Sequence, residues 1–247
     1  MADTLIARPP ARKVGPMPPV AAPAAGRSLT LKAGARAVDI PGGVVRLKGT
    51  LAWPCHPSGF VLFTRVGRGK QASLQDLRLA AQLQTDGLGT LLIDRIIGPR
   101  GTDSDLKAGQ FRAITEWLAR QPESVGLPVG CLGIDVGAAA ALVAAGLSAR
   151  IGAVVSYGGN PDVLGELLFA VRAPTLLIVG NGGYERLRHA HPALVRPGGL
   201  AWLTTIPGTG ALQDGRAPEE AGRRAALWFV RHLIMEPAWR ADHARGR

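Results

Sequence analysis

The chain has 247 residues, 47% of them apolar and 19% charged, and a formal net charge of +11 from 29 Lys and Arg against 18 Asp and Glu. Length and apolar content fit one globular core and exclude a chain disordered throughout. No apolar run approaches the ~20 residues of a membrane-spanning helix, and the charge admits an acidic protein, anionic lipid or nucleic acid as partner.

In chain order, residues 1–35 open on "MADTLIARPPARKVGPMPPVAAPAAGRS", where Pro, Ala and Arg dominate. Proline at this density blocks helix and sheet ladders, so a disordered or polyproline-like arm is expected. It is either a plain extension or a tether that orders on a partner. No continuous apolar segment follows its charges, which argues against a secretory signal, and its prolines spoil the amphipathic helix of a transit peptide.

The texture changes near residue 36. "RAVDIPGGVVRLKGTLAWP" alternates like an antiparallel hairpin turning at Pro41-Gly42-Gly43. "GFVLFTR" (59–65) is a short buried strand, and "LQDLRLAAQLQTDG" (74–87) has helical spacing with Gly87 as its C-terminal stop. "LGTLLIDRI" (88–96) is a second buried strand. "DLKAGQFRAITEWLARQ" (105–121) puts Phe111, Ile114, Trp117 and Leu118 on one helical face. "PVGCLGID" is a strand and "VGAAAALVAAG" a helix, followed by strands "IGAVVSYGG" (151–159) and "APTLLIVGN" (173–181) with a short helical or loop piece between them. "YERLRHAHPALV" (184–195) is a weak helix, "GLAWLTTIPG" (199–208) a last strand and "PEEAGRRAALWFVRHLI" (218–234) a closing amphipathic helix. Residues 236–247 form a basic tail.

Buried strands alternating with helices over residues 36–235 predict an α/β domain: a mostly parallel sheet flanked by helices on both faces. Of two cysteines, Cys131 falls in a predicted buried strand, so no disulfide to Cys55 is expected. That usage fits a reducing, cytoplasmic setting. Basic residues are scattered, without the stripes and stacking aromatics that nucleic acid favours, so they point instead to a protein partner or another anionic surface. No metal-ligand spacing and no dinucleotide fingerprint is present, so no metal and no cofactor are expected.

The strand–turn–helix "PVGCLGIDVGAAAALVAAG" carries Gly133-Ile134-Asp135-Val136-Gly137, the G-x-S-x-G elbow pattern with Asp in place of Ser. With "GFVLFTRVGRG", "LGTLLIDRI", "AVVSYGGNPDVLGE", "VRAPTLLIVGN" and "WFVRHL" in the same order, the chain resembles the α/β-hydrolase fold, in its dienelactone-hydrolase-like branch without a large cap domain. The resemblance implies a nucleophile at Asp135, an acid within Gly180-Asn181-Gly182-Gly183 and a base near Ala211. It implies a His-Gly where Arg65-Val66 stands. All four places are changed, which is pseudoenzyme-like.

Substitutes are few. Triad partners on this fold follow the nucleophile in the order acid, base, so a base must come from His232 in the closing helix or His243 in the tail. His189 and His191 would need a nonstandard geometry. Asp162 could serve as an acid or equally as a helix N-cap. Asp nucleophiles act elsewhere on this fold, but they need a His to hydrolyse the ester they form.

Arg65, beside the elbow strand on this fold, is expected to pair with Asp135 and plug the old pocket, or else to point to solvent. Arg68 and Lys70 join it in "RVGRGKQ", an anion seat before a helix start that lacks Walker spacing. Two functions therefore stand. One is a catalytically degenerate binding or scaffolding subunit reached through its basic face or N-terminal arm. The other is an active hydrolase of small esters or lactones using Asp135.

Overall fold

The computed structural model describes residues 33–64, 74–98, 108–180, 201–206 and 216–235, with helical positions at Gly183, Glu185, Arg186 and His189. The arm up to residue 32, the 65–73 loop with Arg65, Arg68 and Lys70, and the tail from 236 lie outside the described residues.

Strands β1 (Gly34–Pro41) and β2 (Arg46–Trp53) form the expected hairpin. Val38, Ile40, Leu47 and Leu51 are buried while Asp39, Lys48 and Thr50 face out, the alternation of a sheet covered on one side. The turn closes by a Gly42 N–H to Val45 carbonyl bond of 2.9 Å, with Gly43 at φ 80°, a region that favours glycine. On the covered side the half-buried Arg36 donates to Glu123 (3.1 Å) and Gln121 (2.8 Å), its guanidinium 5.7 Å from the Trp117 ring centre. One basic residue of the surplus thus ties the hairpin to the rest of the domain.

Strands β3 (Phe60–Phe63), β4 (Gly89–Ile97), β5 (Val129–Ile134), β6 (Ile151–Tyr157), β7 (Thr175–Val179) and β8 (Ala201–Thr205) complete an eight-stranded sheet ordered β1-β2-β4-β3-β5-β6-β7-β8. From β4 to β8 all pairings are parallel; β2 meets β1 and β4 antiparallel. β3, β5, β6 and β7 are buried along their whole length, because helices cover both faces.

Helices α2 (Ala108–Leu118), α3 (Val136–Leu147) and α4 (Pro161–Leu167) serve one face, burying Phe111, Ile114, Leu118, Ala141 and Leu142. Helices α1 (Leu74–Thr85) and α5 (Arg216–Phe229) serve the other through Leu79, Leu83, Trp228 and Phe229. α5 runs on into a π-helical turn, Val230–Met235. α1 stops as its sequence predicts: Gly87 sits at φ 84°, its N–H bonds Gln84 O (3.1 Å) and Leu88 N–H bonds Leu83 O (2.9 Å). That paired arrangement satisfies the helix's last carbonyls. Between β6 and β7 stand α4 and one 3-10 turn, Leu168–Ala170, so no large cap is present among the described residues.

The α5 end lies across the start of β5. A Cβ added to Gly130 would come within 2.6 Å of Phe229 Cε1 and 3.1 Å of Leu233 Cδ1. Gly130→Ala should therefore overpack this contact and cost about 1–3 kcal/mol. A urea transition at lower midpoint with unchanged slope would register the loss, and an unmoved midpoint would contradict this packing.

Candidate active site

The elbow is built at the junction of β5 and α3. Gly133 is forced by crowding, because a Cβ there would lie 2.1 Å from the Gly137 carbonyl oxygen. Asp135 then adopts φ 52°, ψ −111°, and among the described residues it is the one non-glycine at positive φ. Such a backbone costs on the order of 1–3 kcal/mol and persists only where its surroundings dictate it.

Those surroundings are visible from both flanking strands. Asp135 N–H donates to Tyr157 O at 2.9 Å, extending the β5–β6 ladder one step past Ile134. From β3, the buried Thr64 hydroxyl donates to Gly137 O at 2.8 Å; from β6, the Ser156 hydroxyl donates to Ala138 O at 3.3 Å. The first turn of α3 is pinned on two sides.

Two consecutive glycines line the turn next to the carboxylate. Gly158 (φ 73°) and Gly159 (φ 83°) are both in the left-handed region. A Cβ on Gly158 would stand 3.0 Å from Asp135 Oδ1, and one on Gly159 would stand 2.8 Å from Ala138 Cβ. One oxygen of the half-buried Asp135 carboxylate therefore lies close to Gly158, at the positive end of α3, where a negative charge is favoured. Its side chain does not cap the helix.

Tyr157 is the neighbouring functional group. Only 7% of it is exposed, and its ring joins the apolar layer of Phe63, Ile134, Ile178 and Ile206 at the carboxyl ends of the strands. Burial, and secondarily the negative charge of Asp135, raise the phenol pKa above its ordinary value. At neutral pH the phenol keeps its proton.

The histidines are placed elsewhere. His232 stacks on Trp228 with ring centres 4.1 Å apart, and the Trp228 indole reaches Pro174 O, just before β7 begins. The adjoining Leu233 packs at Gly130, five residues upstream of Asp135, or about 16 Å at ~3.3 Å per residue. His232 therefore sits at the opposite end of the sheet and has a packing role. His56 is in the loop leading into β3, also at that end. His189 is 74% exposed and faces Glu185 at 3.9 Å. His191 and His243 lie outside the described residues, as do Asn181, Ala211, Arg65 and the Arg68 and Lys70 anion seat.

One sequence expectation is corrected. Asp162 is not the cap of α4: Asn160 is, its side chain accepting from Asp162 N–H at 3.1 Å, while Pro161 opens the helix. Asp162 is exposed in the first turn. Another carboxylate, Asp94, has its pKa raised chiefly by burial, and it accepts from Thr50 of β2 at 3.3 Å, on the side of β4 away from β5. Cys55 is exposed and Cys131 buried, both as free thiols. Among the described residues no cluster of His, Cys, Asp and Glu could hold a metal, and no helix is long and apolar enough to cross a membrane.

No family model matches the chain. A crystal structure of a dienelactone hydrolase from Anabaena variabilis is 34% identical and superposes with a TM-score of 0.69, covering 81% of this chain and 99% of that one. The chain belongs to the dienelactone-hydrolase family. A Pyrococcus furiosus esterase shares the fold at 16% identity, with a TM-score of 0.61 over 82% of this chain and 94% of its own. Two curated relatives from Mycobacterium tuberculosis strains CDC 1551 and H37Rv, provisionally named phosphoribosyl transferases, are each 36% identical over 204 residues, 79% of this chain. The chain spans about half the length of these relatives, 46%.

Within this dienelactone-hydrolase fold the sequence reading found Asp135 but passed over Thr64, Ser156 and the Tyr157-Gly158-Gly159 end of β6. The readable signal was "SYGG" closing the strand that pairs with the elbow strand.

Two outcomes test this geometry. Asp135→Gly should be more stable than Asp135→Ala by about 1 kcal/mol, because relief of backbone strain outweighs glycine's entropy cost; equal melting would contradict the strained elbow. In ultraviolet titration Asp135→Asn should lower the Tyr157 midpoint, leaving it above the ordinary value through burial. Since the folded phenol keeps its proton longer than the unfolded one, this group's stabilisation is present below about pH 10. It is lost as pH rises through the folded value.

Proposed function

We propose that this dienelactone-hydrolase-family chain is a catalytically degenerate member that acts as a binding or scaffolding subunit. The observation that carries the reading is the elbow itself, where a carboxylate stands in place of a hydroxyl nucleophile while His232 packs at the far end of the sheet. A general base contributes typically about 100- to 10,000-fold in rate, and between β8 and α5 the sequence "PGTGALQDG" supplies no imidazole. The missing carboxylate in Gly180-Asn181-Gly182-Gly183 supports the same reading, as does the Arg65 replacement. Arg65 pairing with Asp135, and Arg68 and Lys70 as an anion seat, belong to this proposal.

The curated relatives bear on the partner. They are about twice as long as the matched region and carry a transferase name, whereas the matched region has a hydrolase fold. A phosphoribosyl-transferase-like polypeptide is thus the first partner to test, approached through the basic face or the N-terminal arm. A cytoplasmic location accords with the free thiols.

A second reading, a hydrolase of small esters or lactones, is favoured by one observation: the elbow keeps its strained backbone with a carboxylate presented at its tip. Assay on a short-chain nitrophenyl ester separates the two. Degeneracy expects no hydrolysis above buffer for wild type or Asp135→Ala. Turnover by wild type that disappears in Asp135→Ala would establish the hydrolase instead.

A further inference from the structure

We infer that α3, with α4 and the 3-10 turn beside it, is the docking face for a second copy of this chain, packed antiparallel about a two-fold axis at Val143. The dimer goes beyond the reading of the elbow and does not depend on it.

The outer face of α3 is apolar. The helix reads VGAAAALVAAGL and holds no polar side chain. Its exposed and half-exposed positions include Ala139, Ala140, Val143, Gly146 and Leu147, which fall within about 120° of one another at ~100° per residue. A helix at a protein surface ordinarily turns polar residues outward, as the neighbouring α2 does with Arg112 and Glu116. The apolar area continues sideways. A Cβ on Gly146 would stand 3.3 Å from Ala170 Cβ, so the end of α3 meets the 3-10 turn. Next to that contact Phe169 is 71% exposed and Leu147 53%, and Val163 of α4 is also exposed.

Size selects the occupant. Turned end for end about Val143, the face complements itself: Ala139 meets the partner's Leu147, and Ala140 meets the partner's Gly146. Large side chains lie on small ones, which lets the two helices approach closely. On the flank, Val163 meets the partner's Phe169.

Charge sets the direction. Asp162 is exposed in the first turn of α4, at the carboxyl end of the strands. Arg150 and Arg172 are exposed in the segments entering β6 and β7, at the amino end. Antiparallel docking brings each Asp162 to the partner's Arg172, whereas parallel docking sets the arginines of the two copies together. A bilayer or an acidic polypeptide would be repelled by Asp162 at one end of the face. Three helices spaced by ~10 Å over a length of ~18 Å give about 500 Å² a side, at the low end of specific interfaces. A reversible dimer follows.

Sedimentation of the full chain tests it. The mass should rise from 25.8 kDa toward twice that as concentration is raised through the micromolar range. Leu147→Lys/Phe169→Lys, both at exposed positions and matched to wild type by melting temperature, should weaken association roughly tenfold or more. Asp162→Arg alone should weaken it, and Asp162→Arg/Arg172→Asp should restore it. In a Cys55→Ser background, Val143→Cys should yield a disulfide-linked dimer on mild oxidation, while Cys55→Ser alone, with Cys131 buried, should not. A constant monomer mass, or a dimer indifferent to Leu147→Lys/Phe169→Lys, would overturn the interface. Lack of restoration by the charge exchange would overturn the antiparallel arrangement, and lack of the cross-link would overturn the axis at Val143. A persistent monomer that binds phosphatidylglycerol vesicles or polyglutamate through this face would overturn the second copy as its occupant.

Discussion

The site depends on one hydrogen bond, from Asp135 N–H to Tyr157 O at 2.9 Å. It extends the β5–β6 ladder by one residue into a turn whose backbone would otherwise relax. Around it, two hydroxyls hold the carbonyls of Gly137 and Ala138, and glycines at 133, 158 and 159 remove every Cβ that would stand in the way. The backbone has the strained strand–turn–helix of an elbow, with the Asp135 carboxylate at its tip. Strain of this kind needs a rigid frame, and here three adjacent strands provide it.

Much of the fold was legible because its signals are local. Val38, Ile40, Leu47 and Leu51 alternate, and the hairpin follows. β5 and β6 are apolar at consecutive positions, and the parallel, doubly covered sheet follows. Gly87 ended α1 where a left-handed residue was needed. The cap of α4 was misread because Asn160 and Asp162 are both capping types two residues apart, and Pro161 between them decides the case by favouring the first helical position.

The site was less legible. Asp135 stood out because the spacing of Gly133 and Gly137 marks the turn. Thr64, Ser156 and Tyr157 did not, since each reads as ordinary strand residue and its role arises only from register: Thr64 and Ser156 come from different strands to the same helix turn. No periodicity within β3 or β6 encodes that meeting. The far placement of His232 was equally hidden, because a helix position says nothing of which end of a sheet the residue reaches until Phe229 and Leu233 are seen at Gly130.

The direction of the outermost elements sets how anything larger could be attached. β1 begins at Gly34, which pairs with Trp53 beside the start of β4, and the turn after α5 closes near Gly130. Both described ends of the domain therefore leave through its floor, beneath the amino ends of the parallel strands. A polypeptide joined at either end, as in relatives of about twice the length, would be joined to the domain from the edge of the sheet opposite the elbow.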